Sequence, residues 1–178
     1  MKKRIRFETT RLKVEGWGSR VERDALVSEL ENILTPAVLE HLPEPLQLVD
    51  SRRNLQQWIE ARAAESKVLT VRMRNGKLIG LLILAFSPKT EHPTTVHLGY
   101  LLSEVAWGKG YGTELVSGLV SWFGSANKAV QLLGGVGKQN KGSARVLINN
   151  GFEVLEDHVD PETDIYGLRI SGGTRLGS

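Results

Sequence analysis

The sequence contains no cysteine. That absence excludes disulfide staples, a thiolate metal site and a thiol nucleophile, and it suits a reducing compartment. No apolar run reaches the roughly 18 residues of a membrane span. The opening MKKRIRFETTRL has a basic start but no apolar segment behind it to make a secretory signal. Large net charge is also missing: the formal +3 is too small to argue for nucleic acid. The chain therefore reads as a soluble cytoplasmic protein, with neither nucleic acid nor a membrane as partner.

What is present fits one globular domain. A chain of 178 residues with 40% apolar content can bury a sizeable core without staples. The expectation is a single domain over residues 1–170, followed by a flexible tail, SGGTRLGS, at 171–178. Charge is spread unevenly. From Glu22 to Asp50, seven acids (Glu22, Asp24, Glu29, Glu31, Glu40, Glu44 and Asp50) stand against one base, Arg23. Such a segment is either a solvated helical face or a wall that attracts a cationic ligand.

Periodicity gives the element order. RLKVEGW (11–17) alternates like a short strand, and Val21 to Leu42 reads as one or two helices, with Thr35 as N-cap and Pro36 at the first helical position. Asp50 or Ser51 can cap a further helix running to about Ala64, with Leu55, Trp58 and Ile59 on one apolar face. Asn75-Gly76 then separates two β-rich runs, the strongest short-range signal for a hairpin. TVHLGYLLS (95–103) is another β run. A glycine-rich bend leads from it to a helix at about Thr113 to Phe123. AVQLLGGV is a strand, and SARVLINNGFEV is a helix closed by Gly151 before a last strand pair.

The bend is the informative part. Gly108, Gly110 and Gly112 fall within five positions, after a strand and before a helix. Glycines let the backbone turn with several N–H groups aimed at one point, and the unpaired N–H groups of the helix start add partial positive charge. This is the chemistry of a phosphate cradle, with Lys109 supplying a cation. A tight turn without ligand is the plainer alternative, since a lone Gly-x-Gly is weak evidence. A Walker loop does not fit: GGVGKQ fails in its first spacing and in the residue after Lys138. A dinucleotide fold would place its glycines early in an alternating β/α chain, and these come late, after an antiparallel hairpin.

WGKGYGTEL together with NKGSARVLINNGFE resembles the GNAT superfamily of acetyl-CoA-dependent N-acetyltransferases, and within it the RimJ/RimL-like branch. The superfamily's phosphate loop, Gln/Arg-x-x-Gly-x-Gly/Ala, falls on Trp107 to Gly112, with Trp107 in the departure usual for that branch. A second block falls on Asn140, Ser143, Leu147, Gly151 and Phe152, and FETTRLKVEGW looks like the branch's first strand. The resemblance implies an α+β, three-layer fold: a mixed, mostly antiparallel central sheet with helices on both faces.

It also implies a site. Acetyl-CoA would be the co-substrate, with no metal, its pyrophosphate held by Trp107, Gly108, Lys109, Gly110, Tyr111, Gly112 and Thr113. Its pantetheine arm would run along Leu101 and Leu102, where a backbone N–H would polarise the thioester carbonyl. An amine would attack directly, so no Ser or Cys nucleophile is needed. Asn140 would hold pantetheine or the amine, or is an ordinary turn residue. Many relatives carry an acidic Tyr where this chain has Leu147, which leaves Ser143 as the nearest hydroxyl to protonate the thiolate, unless it merely caps its helix. His97 stands where relatives often have a Glu facing the acceptor, and imidazole chemistry suits a general base. Glu104 and Glu114 suit that role less, Glu104 because phosphates would repel it and Glu114 because an acid in a first helical turn is stabilised there anyway.

The acceptor follows by analogy as an amine, the N-terminus of a protein such as a ribosomal protein, or a small cationic amine such as a polyamine or aminoglycoside. A non-catalytic acyl-CoA-binding module is the opposing class. Either a monomer or a homodimer is compatible.

Overall fold

Hydrogen-bonding needs and apolar periodicity become explicit elements in a computed structural model, which describes residues 4–17, 20–42, 55–88, 90, 93–126, 128–158 and 160–172. The expected cap at Asp50 or Ser51, the acids Glu44 and Asp50, and the tail from residue 173 lie outside the described residues. Two compact units emerge, residues 1–84 with 100–111 and residues 85–99 with 112–178.

In the first unit, β1 (Arg6–Glu8), β2 (Leu12–Gly16), β3 (Lys67–Met73) and β4 (Leu78–Phe86, whose last two residues belong to the second unit) pair antiparallel in sequence order. The β3–β4 hairpin turns at Asn75-Gly76 as its sequence requires. Gly76 takes the left-handed φ of 89°, and Asn75 Oδ1 accepts from the Lys77 N–H. A register shift at Val71/Arg72 pairs Arg72 with Leu78 but Val71 with Gly80, which leaves Ile79 as the extra residue. That bulge explains how Leu78 and Leu81, an odd number of residues apart, enter the same core cluster.

Three helices cover that cluster: α1 (Arg20–Ile33), α2 (Pro36–Glu40) and α3 (Leu55–Glu65). Leu26, Leu30 and Ile33 of α1, Val38 of α2, and Leu55, Trp58 and Ile59 of α3 pack with Val68, Leu81, Ile83 and Leu101. The α1/α2 break is set locally. Thr35 is extended (ψ 161°), its hydroxyl accepts from the Val38 N–H, and Pro36 opens α2. Gly80 is a packing requirement, because a Cβ there would collide with the Leu101 carbonyl oxygen.

In the second unit, the first part of β5 (Thr94–Leu102) pairs parallel with β6 (Val130–Gly137), β6 pairs antiparallel with β8 (Thr163–Ile170), and β7 (Glu153–Val154) pairs with β8. Two helices complete it, α4 (Tyr111–Ser125) and α5 (Lys141–Asn149). Leu115, Val116, Leu119 and Phe123 form the buried stripe of α4. Gly151 ends α5 at φ 83°, with the Phe152 N–H donating back to the Leu147 carbonyl.

Eight strands, mostly antiparallel, and five helices among the described residues make the mixed α+β class that was expected. Three details differ from the sequence reading. The strand β1 was not foreseen. A 3₁₀ turn at Glu104–Ala106 separates β5 from the bend. Helix α4 begins at Tyr111 and not at Thr113, so Gly112 and Thr113 belong to its first turn.

Candidate active site

The bend occupies the end of the first unit. Gly108 (φ 68°) and Gly110 (φ 79°) are left-handed, conformations that side chains resist, whereas Gly112 is buried inside α4. Two of the three glycines therefore make the bend. Nothing lies within 4 Å of where a Gly108 Cβ would stand, so the backbone is open to close approach.

The bend is held from several sides. Trp107 donates its indole N–H to the Leu102 carbonyl at 2.8 Å, and its backbone N–H to the Glu104 carbonyl at 3.0 Å. Its ring tilts against His41 at 5.9 Å between centroids. Lys109 Nζ donates to the Val105 carbonyl at 2.7 Å. Arg11, immediately before β2, donates to the Lys109 carbonyl at 2.9 Å and lies over the Tyr111 ring at 4.2 Å. The Thr35 hydroxyl, besides capping α2, donates to Glu104 Oε2 at 2.6 Å. Leu101 and Leu102 are buried, and the Ser103 N–H that follows them donates to the Ile79 carbonyl of β4.

The second unit holds the other candidates. His97 is exposed, on the opposite side of β5 from buried Val96 and Leu98. It stands at the last β5–β6 pair, opposite Leu133. Beyond that point β6 continues with β8 through Gly137, so β5 and β6 part there. Asn140 is the N-cap of α5, its Oδ1 accepting from the Ser143 N–H at 3.0 Å. Ser143 thus lies three residues inside the cap and is not itself the cap. Asn140 Nδ2 donates to no protein group among the described residues. Thr113, in the first turn of α4, gives its carbonyl to Asn150 Nδ2 at 3.2 Å. Leu147 is buried and presses on Gly134, where a Cβ would come within 2.9 Å of Leu147 Cδ1. That position is committed to the core and offers no hydroxyl.

Electrostatics revise the acidic segment. Glu29 forms a two-pronged pair with Arg72 of β3, at 2.8 and 2.7 Å, and Arg72 also donates to the Gly76 carbonyl. The Arg72 hydrogen bonds hold the Glu29 carboxyl below its usual value, against burial, which pushes the other way. Asp24, Glu31 and Glu40 are exposed.

A family model for the acetyltransferase (GNAT) domain matches residues 14–153. The chain belongs to the GNAT acetyltransferase family. As a member it is an acetyl-CoA-dependent N-acetyltransferase, and the bend falls in the matched region. A search of curated proteins finds no match by sequence.

Solved acetyltransferase structures agree in fold. RimL, a ribosomal L7/L12 alpha-N-protein acetyltransferase in complex with coenzyme A, is 16% identical with a TM-score of 0.72, covering 93% of this chain and 97% of its own. A ribosomal-protein-S5-alanine acetyltransferase from Vibrio fischeri is 19% identical with a TM-score of 0.64, at the same coverages. The microcin C7 self-immunity acetyltransferase MccE, in complex with acetyl-CoA and AMP, is 15% identical with a TM-score of 0.65, covering 90% of this chain and 93% of its own. RimL and the Vibrio enzyme share the fold of this chain. Among the described residues no helix is long and apolar enough to cross a membrane, and no group of three or more His, Asp or Glu is arranged to hold a metal.

Sequence reasoning missed Arg11 and Thr35 as neighbours of the bend. Arg11 lies 98 residues from Lys109, and no local pattern connects the two. Thr35 was legible only as a cap.

Proposed function

We propose that this enzyme transfers the acetyl group of acetyl-CoA to the α-amine of a protein N-terminus, an acceptor of the ribosomal-protein kind. The observation that carries the donor half is the bend: two left-handed glycines, open backbone, and the cations Lys109 and Arg11 attached to it. Backbone N–H groups in such a turn suit a pyrophosphate, and the CoA complexes of RimL and MccE support the same ligand. The acceptor half is supported by the likeness to RimL and to the ribosomal-protein-S5-alanine enzyme.

In this reading the pyrophosphate lies on residues 107–113 and the pantetheine runs along β5, with an N–H at Leu101 or Leu102 polarising the thioester carbonyl. His97 takes a proton from the amine, directly or through a water. The amine nitrogen bonds to the carbonyl carbon, and the tetrahedral intermediate collapses with cleavage of the C–S bond. The departing thiolate takes a proton through the Ser143 hydroxyl, which is reprotonated from solvent as His97 releases the proton it took. Asn140 offers Nδ2 to the pantetheine amide or the incoming substrate, its Oδ1 being engaged by the helix.

A small cationic amine is the second reading, favoured by the exposed acids Asp24, Glu31 and Glu40 on α1 and α2. The pairing of Glu29 with Arg72 weakens it, since one member of the acidic segment is already neutralised. A screen for acetyl-CoA-dependent thiol release separates the two. Release with unblocked N-terminal peptides, and none with polyamines or aminoglycosides, supports the protein acceptor. The reverse pattern replaces it with the small amine.

A further inference from the structure

The backbone of the bend is permissive. With Gly108 and Gly110 on either side of Lys109, the Lys109–Gly110 peptide could flip at little steric cost. Something must select one orientation if the N–H groups are to converge. A trans peptide is planar, so its C=O and N–H point in opposite directions. Whatever holds the Lys109 carbonyl therefore also aims the Gly110 N–H.

Arg11 holds that carbonyl. Its Nη1 donates to Lys109 O at 2.9 Å, a charge-assisted bond, while the guanidinium plane rests on the Tyr111 ring at 4.2 Å. Its Nη2 would sit 3.4 Å from a Cβ on Gly110, so the side chain lies directly against the bend. The mounting is rigid. The Arg11 carbonyl accepts from the Arg74 N–H in the β3–β4 turn, and the neighbouring Leu12 N–H donates to the Thr9 hydroxyl. One side chain thus fixes both ends of the two-residue step from Lys109 to Tyr111.

We infer that Arg11 is a positioning residue that locks the Lys109–Gly110 peptide, so that the Gly110 N–H faces away from Arg11 and toward the pyrophosphate of acetyl-CoA. The inference rests on the reading that the bend is the pyrophosphate site. Arg11 acts from behind the bend, through the backbone. This distinguishes it from a cation that touches the phosphates.

The test uses CoA and S-acetylpantetheine, which lacks the pyrophosphate, with the full-length protein. Arg11→Gln is expected to weaken CoA binding by about 10- to 100-fold in calorimetry, to leave the S-acetylpantetheine titration by NMR unchanged, and to shift the Gly110 amide resonance in ligand-free protein. Arg11→Lys, which keeps the charge but not the planar fork, should recover only part of the affinity. Tyr111→Leu, which removes the ring under the guanidinium, should act in the same direction and less than additively with Arg11→Gln. Full rescue by Arg11→Lys with an undisturbed Gly110 resonance would reduce Arg11 to a charge and overturn the lock. Equal weakening of S-acetylpantetheine would make its role merely structural. If CoA binds the wild type without moving the Gly110 resonance, the bend is not the pyrophosphate site, and that reading fails before the lock is tested.

Discussion

At the scale of single residues, side chains around the bend act mainly through main-chain groups. Trp107 stands where related loops carry Gln or Arg, and its indole ties the bend to the end of β5 through the Leu102 carbonyl. Lys109, read from sequence as a cation beside a phosphate, reaches back to the Val105 carbonyl. The glycines were legible because left-handed turns leave a local signature. Which N–H or C=O each neighbour would hold was not, since that depends on residues distant in sequence. Asn140 and Ser143 were ambiguous for a local reason, two good capping residues standing three apart: the sequence offered Ser143 as cap, and the structure gives the cap to Asn140. Asn140→Ala should therefore lower stability by ~1 kcal/mol in chemical denaturation. Ser143→Ala should slow turnover per folded molecule, with acetyl-CoA affinity retained, because a proton donor to the thiolate acts in the transition state. Unchanged turnover in Ser143→Ala would remove it from the chemistry.

At the scale of elements, punctuation residues were the reliable guides. Asn75-Gly76, Thr35-Pro36 and Gly151 each marked a boundary that the structure keeps. Short elements without such marks, β1 and the 3₁₀ turn at Glu104–Ala106, were invisible, because three residues carry no period to detect. The same holds for pairings between elements. Glu29 of α1 and Arg72 of β3, 43 residues apart in sequence, are joined by two hydrogen bonds. Since the folded state holds the Glu29 carboxyl below its ordinary value of 4.5, the pair stabilises above that pH and loses its contribution as pH falls through the depressed value. With the Glu29 side chain 38% exposed, solvent screening limits this to roughly 1 kcal/mol or less. Urea unfolding should find Glu29→Gln less stable than wild type at pH 7 and the difference closing in strong acid. Gly80→Ala probes packing between β4 and β5. Its Cβ meets backbone, which cannot rotate away, so a loss of ~1–3 kcal/mol is expected in the same assay.

For the whole molecule, the family match over residues 14–153 turns a glycine pattern into a reaction, and the remaining question is where the proton goes. His97 stands exposed where β5 and β6 part, an accessible position for a base. His97→Ala should lose ~10²–10⁴-fold in turnover at retained acetyl-CoA affinity. A mutant that keeps the rate would assign the proton to another route. All of this depends on acetyl-CoA lying on the bend, and thermal denaturation with and without ligand tests that most directly. Acetyl-CoA at about 100 times its dissociation constant should stabilise the wild type by ~2.7 kcal/mol, visible as a raised Tm, with no comparable rise from NAD or ATP. Gly110→Val forces a β-branched residue into φ 79° against Arg11 and should abolish the rise. Stabilisation by NAD or ATP but not by acetyl-CoA, or an undiminished acetyl-CoA response in Gly110→Val, would contradict the account.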